Sequence, residues 1–183
     1  MAFFLDNAEP YNSWGNGSAM RVSAIGFAFD DREDVLREAA ASAAMTHNHP
    51  EGIKGAQATA LAIFLGRQTA SKEAIRHEIG KTFNYDLERS IESIRPGYSF
   101  DVSCQGSVPE AIIAFLDSTS WEDAVRNAVS LGGDSDTLAC IAGGVAEAWY
   151  GEVPADVQQQ VTRLLPQELL DILQRFRARF TSS

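Results

Sequence analysis

Residues 132–150 read GGDSDTLACIAGGVAEAWY, and this stretch decides the fold. Gly132-Gly133 breaks the chain, and nothing after Asp134 alternates with the period of two that a half-buried strand requires. Ala139, Ala142, Gly143, Gly144, Ala146 and Ala148 are small enough to let neighbouring helices come close. The spacing therefore predicts a helix over 134–150, in the middle of a bundle. Its first turn carries Asp134, Asp136 and Thr137, two carboxylates and a hydroxyl. Such a turn can cap the helix and complement its macrodipole. Against that, buried carboxylates are seldom left without a cation or a hydrogen-bond network. Hard oxygen donors with no Cys or His beside them favour Mg²⁺, with Mn²⁺ or Ca²⁺ as alternatives. On these residues alone, cap and metal site stand level.

Outward from this helix the same periodicity recurs. Helices are expected over 33–45, 51–68, 72–82, 107–118, 121–131 and 167–180. The 51–68 segment, EGIKGAQATALAIFLGRQ, is apolar on most faces beyond Gln57 and belongs at the centre. Ser107-Val108-Pro109-Glu110 reads as a capping box with proline in the first turn. Residues 84–105 read as an irregular connection, anchored by Tyr85, Tyr98 and Phe100. No alternating strand is evident, so the fold class is all-α, a single domain over 1–183.

Two loops can carry chemistry. In Trp14-Gly15-Asn16-Gly17-Ser18-Ala19-Met20-Arg21, successive glycines let backbone N–H groups point at an anion, and Asn16 and Ser18 can add donors. Glycine-rich turns are more often only turns, and Arg21 either binds phosphate or buttresses the loop. In Met45-Thr46-His47-Asn48-His49-Pro50-Glu51-Gly52, a histidine pair can serve a transition metal, an anion or a backbone carbonyl. His77 lies in a helical stretch and reads as a surface residue. Gln158–Gln160 reads as a solvated face, and Cys104 and Cys140 as packing residues without an activating partner.

Composition narrows the function classes. The 183 residues are 45% hydrophobic and 22% charged, a globular balance. Fifteen Lys and Arg stand against 25 Asp and Glu, giving a net charge of -10. That charge repels a phosphate backbone and disfavours general nucleic-acid binding. Two cysteines without a CxxC pair argue against thiolate zinc or a disulfide scaffold, and fit a reducing, cytoplasmic setting. No apolar run approaches the roughly 20 residues of a membrane helix, so no membrane partner is expected.

Taken in order, NGSAMR at 16–21, THNHPEGIKGA at 46–56 and GGDSDTLACIAGG at 132–144 resemble the ADP-ribosylglycohydrolase family, typified by the dinitrogenase-reductase-activating glycohydrolases. CQGSVPEAIIAFL from Cys104 to Leu116 is similar too. The resemblance implies an all-α bundle with a two-metal centre, usually Mg²⁺, in a central cleft. It implies a substrate in which ADP-ribose is joined to a protein side chain or a small molecule, and hydrolysis of that glycosidic bond. Carried over residue by residue, Asp134, Asp136 and Thr137 are metal ligands, with Asp134 and Asp136 catalytic. Asn16, Gly17 and Ser18 line the diphosphate and ribose. His47 approaches the diphosphate, with His49 in support.

One departure bears on activity. The family carries an early Thr-Asp-Asp motif that supplies further metal ligands, and Asp30-Asp31 lies on the wrong side of NGSAMR to be it. The expectation is an N-terminally truncated member, lacking the family's first helices, with the apolar start at Phe3 and Phe4 as a cut edge. Such a chain would supply the metal centre only in part. Two other readings follow: a non-catalytic module that binds ADP-ribose or a nucleotide, and a helical module that self-associates to cover the truncated face.

Overall fold

The computed structural model describes residues 9–68 and 71–180. The apolar start at Phe3 and Phe4 lies outside the described residues. Among those described there are eleven helices and no strand. They are α1 (Gly17–Met20), α2 (Ser23–Ala28), α3 (Arg32–Ala44), α4 (Pro50–Gln68), α5 (Lys72–Phe83), α6 (Ile91–Ile94), α7 (Cys104–Leu116), α8 (Trp121–Ser130), α9 (Ser135–Tyr150), α10 (Ala155–Leu164) and α11 (Gln167–Phe180). The all-α class read from the sequence is the one that forms. The ends of α3, α4, α5, α8, α9 and α11 fall within a residue of those expected.

Local chemistry sets most of these ends. The Asp31 carboxylate accepts the Glu33 and Asp34 amides and starts α3. Ser71 and Ser120 accept the N–H groups of Ala74 and Asp123, starting α5 and α8. Asn84, in the left-handed region, stops α5, and Gly151 stops α9. Pro50 occupies the first position of α4, where its missing N–H costs nothing.

The start of α7 corrects the capping-box reading. Ser103 is the cap, accepting the Gly106 amide at 3.0 Å, so the helix begins a turn before Ser107. Ser107 is fully buried, and Glu110 turns to an ion pair with Arg89 at 2.8 Å. Ser103 is followed three residues on by Gly106, so the Ser–x–x–Glu pattern at Ser107 is the stronger local signal and is nevertheless not the one used. The tertiary partners of Ser107 and Glu110 decide which one forms.

Four helices have no counterpart in the periodicity. Helices α1 and α2 occupy the stretch that begins in the glycine-rich loop, and α6 lies inside the connection read as irregular. All three are too short for a repeating apolar pattern to show. The fourth, α10, carries Gln159 and Gln160 outward, as the solvated-face reading required.

Helix α4 is the axis of the domain. It contacts α1, α2, α3, α5, α7 and α9. Leu61, Ala62 and Ile63 on successive faces are completely buried, which is the signature of a helix enclosed on all sides. Gly26 lets α2 lie directly on it, since a Cβ there would stand 2.6 Å from Ile63. Helices α7 and α9 complete the core with Ile112, Ile113, Phe115, Leu138, Ile141 and Val145. By contrast, α10 and α11 bury no residue at all. His77 is on the surface as expected. Cys104 is buried in the core, whereas Cys140 faces outward.

Candidate functional site

The site begins with a short antiparallel pairing. The Asn16 amide donates to the Val102 carbonyl at 2.8 Å, and the Cys104 amide to Trp14 at 3.0 Å. Gly15 and Ser103 form the bridge between the two segments. This fixes Asn16, only 6% exposed, above the starts of α7 and α9. Its side-chain amide donates to the Asp134 carboxylate at 2.6 Å and to the Ser107 hydroxyl at 3.0 Å. Ser107 in turn donates to the Asp101 carbonyl at 3.0 Å. Residues 118 positions apart are thereby joined by one hydrogen bond.

Asp134 precedes α9 yet its side chain caps nothing. The carboxylate is held by Asn16 instead. Gly133 makes this approach possible. Its φ is +64°, and a Cβ would stand 2.9 Å from the Tyr98 ring and 3.1 Å from the Ser99 carbonyl. Tyr98 is fixed by donating to the Gly106 carbonyl, and burial pushes its phenol up to about 12. Asp136 is exposed and accepts the Thr137 amide at 2.8 Å. The Thr137 hydroxyl, on a residue 4% exposed, faces the Met20 sulfur at 3.7 Å.

The other loop closes the site from the far side. Ser18 is fully buried and donates to the Gly52 carbonyl at 2.7 Å, tying α1 to the first turn of α4. Gly17 has no side chain, and a Cβ there would meet His47 Nε2 at 3.2 Å. His47 is 8% exposed, with Nδ1 on the Thr46 hydroxyl at 2.6 Å. Burial, aided by the Arg21 guanidinium, holds the imidazole below its ordinary value. His49 accepts the Glu51 amide through Nδ1 at 3.1 Å and so caps the start of α4. Tyr11, Trp14, Met20, Phe100 and Val102 leave an exposed apolar rim on the segments that carry these groups.

The fold thus brings together Asn16, Asp134 and Ser107, and separately Gly17 and His47. Asp136 and Thr137 share the first turn of α9 with Asp134. Ser107, Thr46 and Arg21 matter more than their sequence context suggests, because their partners come from distant segments. Asp30 and Asp31 are structural: Asp30 pairs with Arg67 at 2.9 Å and Asp31 caps α3. Cys104 stays a buried thiol, pushed up to about 11 by burial, donating to the Gly15 carbonyl.

Asp134, Asp136 and Thr137 place three hard oxygen donors at the start of α9, the donor type that Mg²⁺ takes. Among the described residues no group of three or more His, Cys, Asp or Glu side chains is placed to hold a metal ion. No helix among them is long and apolar enough to cross a membrane.

The family model for ADP-ribosylglycohydrolase matches residues 3–182. The chain belongs to the ADP-ribosylglycohydrolase family. It is 30% identical to ADP-ribosylhydrolase ARH3 of Homo sapiens, over 89% of this chain and 59% of that protein. The Bos taurus ARH3 is 31% identical over the same shares. An uncharacterised protein of Archaeoglobus fulgidus is 29% identical over 75% of this chain and half of that one. A solved ADP-ribosylglycohydrolase-related protein complex superposes with a TM-score of 0.66 at 28% identity, over 81% of this chain and 55% of its own. This member of the family therefore spans less than two thirds of the length of the relatives it matches.

Proposed function

We propose that this chain acts on ADP-ribose conjugates, cleaving the glycosidic bond between ADP-ribose and its acceptor with the help of Mg²⁺. The observation that supports this most is the Asn16–Asp134 hydrogen bond, which ties the glycine-rich loop to the acidic turn of α9. Candidate anion-facing and cation-holding groups then lie on adjoining segments.

In this reading Asp134, Asp136 and Thr137 hold the ion. When bound, such an ion would supply charge neutralisation for an anionic nucleotide on a chain of net charge -10, and would polarise water. Asn16 keeps the Asp134 carboxylate turned toward the cleft. His47 meets the diphosphate beside Gly17, with Ser18 and His49 holding the two loop segments that frame it. The exposed faces of Trp14 and Phe100 suit the flat parts of a nucleotide. The substrate class is an ADP-ribosylated protein or a small ADP-ribose conjugate.

The test is release of free ADP-ribose from arginine- and serine-ADP-ribosylated proteins, followed by mass spectrometry with Mg²⁺ and with a chelator. Release should need Mg²⁺ and vanish in Asp134→Asn and Asp136→Asn. No release from any such conjugate removes the hydrolase reading. A second reading, a module that binds ADP-ribose without turnover, is favoured by the single oxygen set on α9. Calorimetry with ADP-ribose separates the two: binding without release supports the module, and no heat excludes both.

A further inference from the structure

The residues behind His47 form a chain of hydrogen bonds that the reaction itself does not require. Arg21 Nη2 donates to the Ser42 carbonyl at 2.9 Å and to the Thr46 hydroxyl at 2.8 Å. The Thr46 hydroxyl lies 2.6 Å from His47 Nδ1. We infer that Arg21 and Thr46 are positioning residues that lock His47 as the Nε2–H tautomer, with its N–H aimed into the space between Gly15 and Gly17. The inference rests on the reading of this cleft as an ADP-ribose site and gives His47 its role there, that of a neutral donor to the ligand's anionic oxygens.

Hydrogen counting carries the argument. A guanidinium has only donors, so Thr46 Oγ accepts from Arg21. A hydroxyl has one proton, and Thr46 is 3% exposed, so that proton needs a partner inside the protein. Among the described residues the acceptor in reach is His47 Nδ1. Were Nδ1 protonated, Thr46 would accept twice and its own buried proton would be stranded. Nδ1 is therefore an acceptor. A neutral ring with an unprotonated Nδ1 carries its proton on Nε2.

The surroundings agree. No carboxylate among the described residues is bonded to the ring, and burial, with the Arg21 cation beside it, disfavours the charged imidazole. Nε2 faces positions where side chains are absent. A Cβ would lie 3.2 Å away at Gly17 and 3.6 Å away at Gly15. A ligand oxygen can take the place that these glycines leave open. Arg21 spends Nη2 on the Ser42 carbonyl and the Thr46 hydroxyl. Its part is to orient Thr46.

The tautomer is readable without any ligand. Long-range ¹H–¹⁵N spectra of the full chain, with its three histidines assigned through single His→Gln variants, report which ring nitrogen bears the proton. At about pH 7.5, His47 should show an unprotonated Nδ1 and a protonated Nε2. Thr46→Val should turn this into a mixture of tautomers, and Thr46→Ser should restore it. Calorimetry with ADP-ribose should show Thr46→Val and Arg21→Ala weakened about tenfold and Thr46→Ser within about twofold of the parent. A protonated Nδ1 in the parent chain overturns the inference. So does a Thr46→Val variant with parental spectrum or parental affinity. The parent spectrum alone decides if a variant fails to fold. A parent with the Nε2–H pattern that does not bind ADP-ribose leaves the relay standing and removes the ligand reading.

Discussion

Asn16 shows how much one side chain can organise. Its two amide hydrogens satisfy Asp134 and Ser107 together, so Asn16→Ala leaves a half-buried carboxylate and a buried hydroxyl short of a donor. Unfolding in urea should show a loss of about 1–3 kcal/mol, and Asn16→Asp, which sets two carboxylates together, should lose at least as much. His47 makes a different prediction. Its imidazole sits below the ordinary value of 6.5 because burial and Arg21 disfavour the charged form. The unfolded chain therefore binds this proton more readily than the folded one. The associated stability is fully present above the unfolded value, and it is lost as pH falls through the lowered folded value. Urea midpoints measured from neutral pH downward should fall for the parent, and His47→Gln should fall less steeply over that window. The histidine pair and the acidic turn were legible in the sequence as candidate groups. How their atoms are oriented was not, because Arg21 reaches Thr46 across 25 residues and Asn16 reaches Asp134 across 118.

Helix ends divide into those governed locally and those governed by the rest of the fold. Asp31, Ser71 and Ser120 cap the helices that their sequence neighbourhoods announce. Helix α7 does not, since Ser103 rather than Ser107 caps it. Ser103→Ala should therefore cost about 1 kcal/mol, the ordinary price of a lost cap. Gly133→Ala should cost more, since it combines a φ of +64° with a Cβ 2.9 Å from the Tyr98 ring; a left-handed residue alone accounts for about 1–2 kcal/mol. Thermal melts of the two variants rank these effects. If Gly133→Ala melts like the parent, the turn before α9 is not under the constraint described. The short helices α1, α2 and α6 escaped the periodicity because four to six residues cannot display a repeat. Packing completes them: Ala19, Val22, Ile91 and Ile94 are buried in the core.

The whole molecule is a core of helices around α4, with α10 and α11 laid on its outside. Neither outer helix buries a residue, and Leu164 is 82% exposed. A chain ending at Gly151 should retain the helical core, with a melting temperature lowered by no more than about 8 °C, equivalent to roughly 2 kcal/mol at this size. Loss of cooperative unfolding in that shortened chain would show that α10 and α11 belong to the core after all. By itself the sequence determined that the chain is all-α and that α4 and α9 lie inside, and it marked an acidic turn, a glycine-rich loop and a histidine pair as candidate positions for chemistry. Apolar periodicity and small-residue content encode those properties locally. Only the tertiary structure decided that Asn16 holds Asp134, that Ser107 is a buried partner and not a cap, and that His47 Nε2 looks toward Gly17. Those outcomes depend on which donors and acceptors meet when distant segments pack, and a buried polar group takes its partner from the fold and not from its neighbours in the chain.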